Sequence, residues 1–232
     1  MKIICLMHAD IEQPGTISEW ARERGHRMET VHLHRGDRIG GTGGERDMLL
    51  VMGGPMNIDE DDRYPWLAPE KEAISGAVAS GRLVVGICLG AQLVADVLGS
   101  EVSVNRYREI GWFPVDFTDE ATRMFPGLPR RNVVFHWHGD SFSLPAGAGL
   151  LASSEGTPCQ AFHHGGHVFA FQFHMEVSRD MVASFTSTFG NDLHPDRFVQ
   201  DRERILSEEE HYSRNRELIF SMMDAMVRMN WE

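Results

Sequence analysis

The chain has 232 residues, 42% hydrophobic and 24% charged, which is typical of a globular protein with a substantial core. Its formal net charge of -12 argues against a nucleic-acid or anionic-membrane surface, and no apolar run approaches the roughly 20 residues that cross a bilayer. Its three widely spaced cysteines, Cys5, Cys88 and Cys159, favour a reducing compartment, hence the cytoplasm, with Cys5 and Cys159 in the core.

The first part of the chain alternates strand-like and helix-like segments. Its apolar runs predict buried parallel strands, and the glycines that follow the helical segments mark where those helices end. The predicted elements are strands at 2–7, 26–33 and 47–52, helices at 17–23 and 69–80, and a glycine-rich connecting loop at 35–45.

The stretch 83–95 contains a turn on which the other motifs depend. A short β-branched strand runs into apolar residues at helical spacing, and between them lies Gly86-Ile87-Cys88-Leu89-Gly90, the cysteine form of a nucleophile elbow. Such a turn strains its central residue and leaves no room for side chains two positions away, so glycine suits both flanks. We expect the helix dipole and free N–H groups to favour a Cys88 thiolate, the alternative being a buried structural cysteine.

The second part of the chain is rich in strands. We expect two strand-like runs around 102–104 and 111–115, a turn-rich connection at 122–129, strands at 133–138, 150–153, 159–163 and 168–173, a hairpin at Gly165-Gly166 and a helix at 178–189. After Gly190 a helical tail carries an amphipathic stripe between 218 and 227, which is expected to pack on the domain rather than bind a partner.

Together these elements predict an α/β fold. An open, mostly parallel sheet is flanked by helices and carries an added antiparallel portion and a C-terminal helical tail. We expect the domain to span 1–190 and the helical extension, packed on it, to span 191–232.

A cysteine nucleophile needs a base, and the base needs an orienting group. The segment Gln172-Phe173-His174-Met175-Glu176 ends a long apolar strand. In extended conformation His174 and Glu176 point to the same face, so the carboxylate can hold one imidazole nitrogen while the other faces a substrate. The alternative is a surface pair at a strand end.

Four motifs, in the same order along the chain, resemble those of the class I (triad) glutamine amidotransferases. They are Gly53-Gly54-Pro55, the elbow continued to Gln92, His138-Gly139-Asp140, and the segment from Gln172 to Glu176. The third is similar to the matching stretch of the amidotransferase domain of GMP synthetase. The similarity runs from 48 to 176, more than half of the chain, and implies an open, flavodoxin-like α/β fold with the elbow at its centre.

The resemblance also implies a site and an activity. Cys88 would be the nucleophile, His174 the base and acid, and Glu176 its orienter, with glutamine hydrolysed through a cysteine thioester to glutamate and ammonia. No cofactor or metal is expected. Because the chain has no room for an ATP-binding synthetase domain, we expect the acceptor reaction of the ammonia to be on a separate polypeptide, a synthetase subunit, the alternative being that it is absent. The implied oxyanion donors are the N–H groups of Gly54 and Leu89, and the implied substrate contacts are Gly53, Gln92, His138, Gly139 and Asp140.

Three alternatives stay open. A stand-alone hydrolase of γ-glutamyl peptides would use the same triad and need no partner. A non-catalytic binding or regulatory module on this fold is the alternative of another class, and a low-pKa Cys88 would argue against it. A metal could bind at His136 and His138 or near His163, His164 and His167, although no closed ligand set has zinc-site spacing.

Overall fold

The computed structural model describes residues 1–40, 44 and 47–231, so part of the predicted 35–45 loop lies outside the described residues. The strands are β1 (Lys2–Met7), β2 (Arg27–His32), β3 (Met48–Val51), β4 (Leu83–Ile87), β5 (Val102–Phe117), β6 (Arg131–Phe142), β7 (Gly149–Ser153), β8 (Ala161–His164) and β9 (Val168–Phe171). The α-helices are α1 (Gly15–Glu23), α2 (Leu67–Ala79), α3 (Leu89–Val97), α4 (Asp119–Met124), α5 (Arg179–Thr188), α6 (Arg202–Ser207) and α7 (Glu210–Trp231).

The described strands form one sheet in the order β2-β1-β3-β4-β9-β8-β7-β5-β6. The neighbouring pairs from β2 to β9 are parallel, and those from β9 to β6 are antiparallel. The predicted α/β fold with an added antiparallel portion is therefore confirmed. The elbow strand β4 lies between β3 and β9, where both of its faces are buried, which explains its unbroken apolar sequence.

Helices cover both faces of the parallel strands. Leu50 and Val85 belong to a core that includes residues of α1 and α7, whereas Leu49 and Val84 belong to a second core with α2 and α3. The alternation follows from the two-residue period of a strand. None of the described helices combines the length and the apolarity needed to span a membrane.

The C-terminal helix α7 packs on the sheet through the predicted stripe. Met222, Met223 and Met226 are buried in the core that also contains β1, β3 and β4. At the same contact the Trp20 indole of α1 donates a hydrogen bond of 2.7 Å to Asp224. The division of the chain at 190 stays a prediction.

Two local predictions are wrong. The runs predicted at 102–104 and 111–115 belong to one 16-residue strand, β5, because its pairing with β6 continues across a bulge between Val104 and Glu109. The connection predicted at 122–129 begins inside helix α4, because the Thr118 hydroxyl caps that helix by accepting a hydrogen bond from the Ala121 N–H.

Candidate active site

Four neighbouring parallel strands, β1, β3, β4 and β9, direct their carboxyl ends to one edge of the sheet. Ligands of open α/β sheets bind outside this edge. A cavity of about 450 Å³ opens there, and its lining includes Cys88 and residues that follow β1 and β3. The fold thus brings segments that are far apart in the sequence to one cavity.

Cys88 lies on the turn between β4 and α3. Its φ of 52° and ψ of −109° are rare for a residue with a side chain, so the backbone is strained there. A Cβ on Gly86 would lie 2.6 Å from the Gly90 carbonyl oxygen, and one on Gly90 would collide with the Val51 carbonyl. The start of α3 thus approaches β4 at Gly86 and β3 at Gly90, which explains the glycine at both flanks.

His174 and Glu176 form a buried pair after β9. The His174 Nδ1 atom lies 2.6 Å from Glu176 Oε1, and the His174 backbone pairs with that of Phe135. His174 Nε2 lies near Cys88 without a formed hydrogen bond to any described residue. Burial opposes a charged imidazole, but the Glu176 carboxylate and the Cys88 sulfur raise the pKa of His174 well above 6.5.

The surroundings of Cys88 change one expectation. Burial raises the pKa of the Cys88 thiol, and this outweighs the lowering by His174 and by the Leu89 N–H at the start of α3. The Leu89 N–H favours the thiolate, as expected from the elbow, but the pKa of the thiol is raised overall because the turn does not reveal how completely the sulfur is enclosed. The Gln172 amide donates to the sulfur at 3.6 Å.

The residues proposed for the oxyanion are Gly54, in the loop after β3, and Leu89, next to Cys88 in the chain. Gly54 lines the cavity, and none of the described residues accepts a hydrogen bond from its N–H. Leu89 is the first residue of α3, where N–H groups lack partners within the helix. Gly53, predicted as a substrate contact, is buried behind Gly54 and does not line the cavity.

The remaining predicted substrate contacts line the cavity. Gln92 donates to the side chain of Gln172 at 3.2 Å and to the Asp140 carbonyl at 3.4 Å. The His138 Nδ1 atom lies 3.0 Å from the same carbonyl, and burial lowers the pKa of His138 to about 4, so its ring is neutral at pH 7. Gly139 completes this wall.

The family model of the class-I glutamine amidotransferases matches residues 15–184. This chain belongs to the class-I glutamine amidotransferase family. The family consists of cysteine-based amide hydrolases, which supports glutamine hydrolysis as the general activity.

Individual relatives agree with this assignment. The glutamine amidotransferase-like protein YfeJ of Salmonella typhimurium is 34% identical over 187 residues, covering 78% of each chain. The glutamine-hydrolyzing GMP synthase of Latilactobacillus sakei is 31% identical over 147 residues, which are 62% of this chain and 26% of that enzyme. A crystal structure of a Thermotoga maritima glutamine amidotransferase is similar with a TM-score of 0.88 and 28% identity, covering 98% of both chains.

The amidotransferase site includes residues that sequence reasoning missed. Glu12 lines the cavity, and burial raises the pKa of its carboxyl to about 7. His8 and Glu70 form a second buried pair beside Gly53. Gln172 stands inside a motif already singled out, whereas the signal for His8 and Glu12 is their position after β1, at the ligand-binding edge of the sheet.

One buried group in the amidotransferase could supply metal ligands. Atoms of Glu109, His136 and His138 all lie within 4.8 Å of one another. The Glu109 carboxylate, however, already accepts hydrogen bonds from Ser154, Thr157 and Gln160. In the other histidine cluster, His163 pairs with Glu120 at 2.9 Å and His167 lies near the Gly165 and Val78 carbonyls.

Proposed function

We propose that this chain hydrolyses the side-chain amide of glutamine through a thioester on Cys88 and releases ammonia for an acceptor reaction on a separate polypeptide. The observation that carries the proposal is the 2.6 Å contact between His174 Nδ1 and Glu176 Oε1, with the free His174 Nε2 near the strained Cys88. A carboxylate that holds one ring nitrogen leaves the other to exchange a proton with the nucleophile.

In the first half of the reaction, the Cys88 thiol passes its proton to His174 and the sulfur attacks the amide carbon. Because the pKa of the thiol is raised by burial and that of His174 by Glu176, this transfer depends on the histidine. The amide oxygen becomes negative and accepts hydrogen bonds from the N–H groups of Gly54 and Leu89. One donor of this kind contributes roughly 2.7–4 kcal/mol to the lowering of a barrier.

In the second half, His174 returns the proton to the amide nitrogen, the carbon–nitrogen bond breaks, and ammonia leaves. A water molecule, deprotonated by His174, attacks the thioester carbon. The carbon–sulfur bond breaks, glutamate forms, and Cys88 recovers its proton. Gln92 and the Asp140 carbonyl, which lie within 3.4 Å of each other, would bind the far end of glutamine.

The placement of the acceptor reaction is supported by the comparison with GMP synthases. The segment of the L. sakei enzyme that matches this chain is about a quarter of its length. The chemistry that consumes the ammonia would lie outside the residues that this chain shares with that enzyme.

A second candidate function is the hydrolysis of γ-glutamyl peptides by the same three residues. The cavity of about 450 Å³ lies within the roughly 300–1,000 Å³ of small-molecule sites, so its volume admits a γ-glutamyl peptide as well as glutamine. Such a peptide would present the same γ-carbonyl to Cys88 and leave as an amine.

The test is ammonia release from glutamine and amine release from a panel of γ-glutamyl peptides, with and without added synthetases. Cys88→Ala should lose activity by at least about 10³-fold. Cys159→Ala, a matched change at a cysteine buried away from the cavity, should keep it. A Cys88→Ala variant as active as the parent would refute the proposal. Turnover of peptides but not of glutamine would favour the second candidate.

A further inference from the structure

The peptide unit between Gly53 and Gly54 links the cavity to a buried histidine. A peptide unit is planar, so the Gly53 carbonyl and the Gly54 N–H point in opposite directions from one rigid plane. The carbonyl lies 2.9 Å from His8 Nδ1, while Gly54 lines the cavity. Any contact that holds this carbonyl therefore also orients the N–H.

His8 in turn contacts Glu70 of α2. Its Nε2 atom lies 2.8 Å from Glu70 Oε1, and both side chains are fully buried. A carbonyl has no proton to donate, so the Nδ1 of His8 is the donor to Gly53, and the Nε2 shares a proton with the carboxylate. Burial lowers the pKa of His8, but the charge and hydrogen bond of Glu70, together with the Gly53 carbonyl, raise it overall.

We propose that His8, held by Glu70, positions and polarises the Gly53–Gly54 peptide so that the Gly54 N–H can stabilise the oxyanion. His8 is thus a positioning residue, and this inference rests on the proposed function because it takes Gly54 as an oxyanion donor. A hydrogen bond to a peptide carbonyl polarises the N–H of the same unit and strengthens its hydrogen bonds by roughly 10–30%. A cationic donor strengthens the effect further.

The two glycines explain why such a support is needed. A Cβ on Gly53 would lie 2.9 Å from Glu12 Cδ, and one on Gly54 would lie 2.6 Å from Met56 Sδ and 2.8 Å from His8 Cβ, so glycine fits at both positions without displacing these side chains. Two consecutive glycines leave a peptide plane free to rotate. The hydrogen bond from His8 removes that freedom and keeps the N–H directed into the cavity.

The test compares His8→Leu, which removes the donor, with His8→Asn, which keeps a neutral one. The matched control is His163→Leu, which breaks another histidine–glutamate contact, outside the cavity lining. For each protein, kcat and KM for hydrolysis are measured beside the rate at which iodoacetamide alkylates Cys88. Alkylation forms no oxyanion, so damage that is merely structural changes the rates of both reactions, whereas loss of the oxyanion donor slows hydrolysis alone.

His8→Leu should lower kcat by about 10²-fold, close to the loss of one oxyanion donor, with KM and alkylation within about 3-fold of the parent. His8→Asn should recover about 10-fold of that loss, and His163→Leu should behave like the parent. If His8→Leu does not fold, Glu70→Gln should lower kcat by about 3- to 10-fold with unchanged alkylation. An unchanged kcat, or a kcat loss accompanied by a change of comparable size in the alkylation rate, would overturn the inference. A parent protein whose Cys88 is alkylated but which releases no ammonia or amine would instead overturn the proposed function.

Discussion

Replacing Glu12 by glutamine is expected to stabilise the fold above neutral pH. Burial raises the pKa of the Glu12 carboxyl from 4.5 to about 7, with Glu176 adding to the shift and the histidines His174 and His8 opposing it. A native pKa above the unfolded value means that the native state binds more protons, so stability falls as the pH rises from about 4.5 through 7. At about 1.36 kcal/mol per pKa unit, the raised pKa of Glu12 lowers the free energy of unfolding relative to low pH. The loss is about 3 kcal/mol at pH 8 and about 1 kcal/mol at pH 5.

Urea unfolding of the parent and of Glu12→Gln at both pH values measures this difference. The amide keeps the shape of the side chain but carries no charge, so the variant should gain about 2 kcal/mol more at pH 8 than at pH 5. Glu203→Gln, at an exposed position of α6, is the control and should give the same difference at both pH values. An effect of Glu12→Gln that does not depend on pH would refute the reasoning, because it would mean that the buried carboxylate ionises at no cost.

Three further expectations concern the histidine pair, the elbow and the C-terminal helix. Glu176→Gln should lower kcat for glutamine by roughly 10²–10⁴-fold with little change in KM, because His174 loses the carboxylate that fixes its tautomer, and a loss below about 10-fold would contradict that role. Gly90→Ala should lower the Tm, since its Cβ collides with the Val51 carbonyl, whereas Gly76→Ala, where α2 leaves the Cβ free space, should stabilise by about 0.5–1 kcal/mol. Met223→Ala should cost about 2–5 kcal/mol in urea unfolding, and an unchanged midpoint would show that α7 contributes nothing to the core.

The parts of the site that the sequence could predict are those that depend on neighbouring residues. The elbow is visible because strand, turn and helix follow one another within thirteen residues, and because Gly86 and Gly90 must allow backbones to touch. His174 and Glu176 are visible because alternate residues of an extended chain share a face. The family resemblance then assigns roles to residues such as Gly54, Gln92 and His138, whose spacing alone does not predict a function.

The contacts that sequence reasoning missed depend on the order of strands in the sheet. His8 and Glu70 are 62 positions apart, and neither belongs to a local pattern. Because β1 lies beside β3, His8 after β1 reaches Gly53 in the loop that follows β3, and Glu70 of α2 contacts the other nitrogen of the His8 ring. The single long strand β5 was missed for a similar reason, since only its pairing with β6 carries it past the bulge.

The raised pKa of Cys88 likewise depends on groups that are distant in the sequence. The Leu89 N–H at the start of α3 favours the thiolate, as a local argument expects, but the cost of desolvation is set by everything that encloses the sulfur. That enclosure includes Gln172 after β9 and the Trp137 carbonyl on β6, both brought to the elbow by the sheet. The turn alone is therefore not enough to make the Cys88 sulfur a thiolate. It becomes nucleophilic when a histidine held by a carboxylate takes its proton, so reactivity depends on assembly of the whole edge.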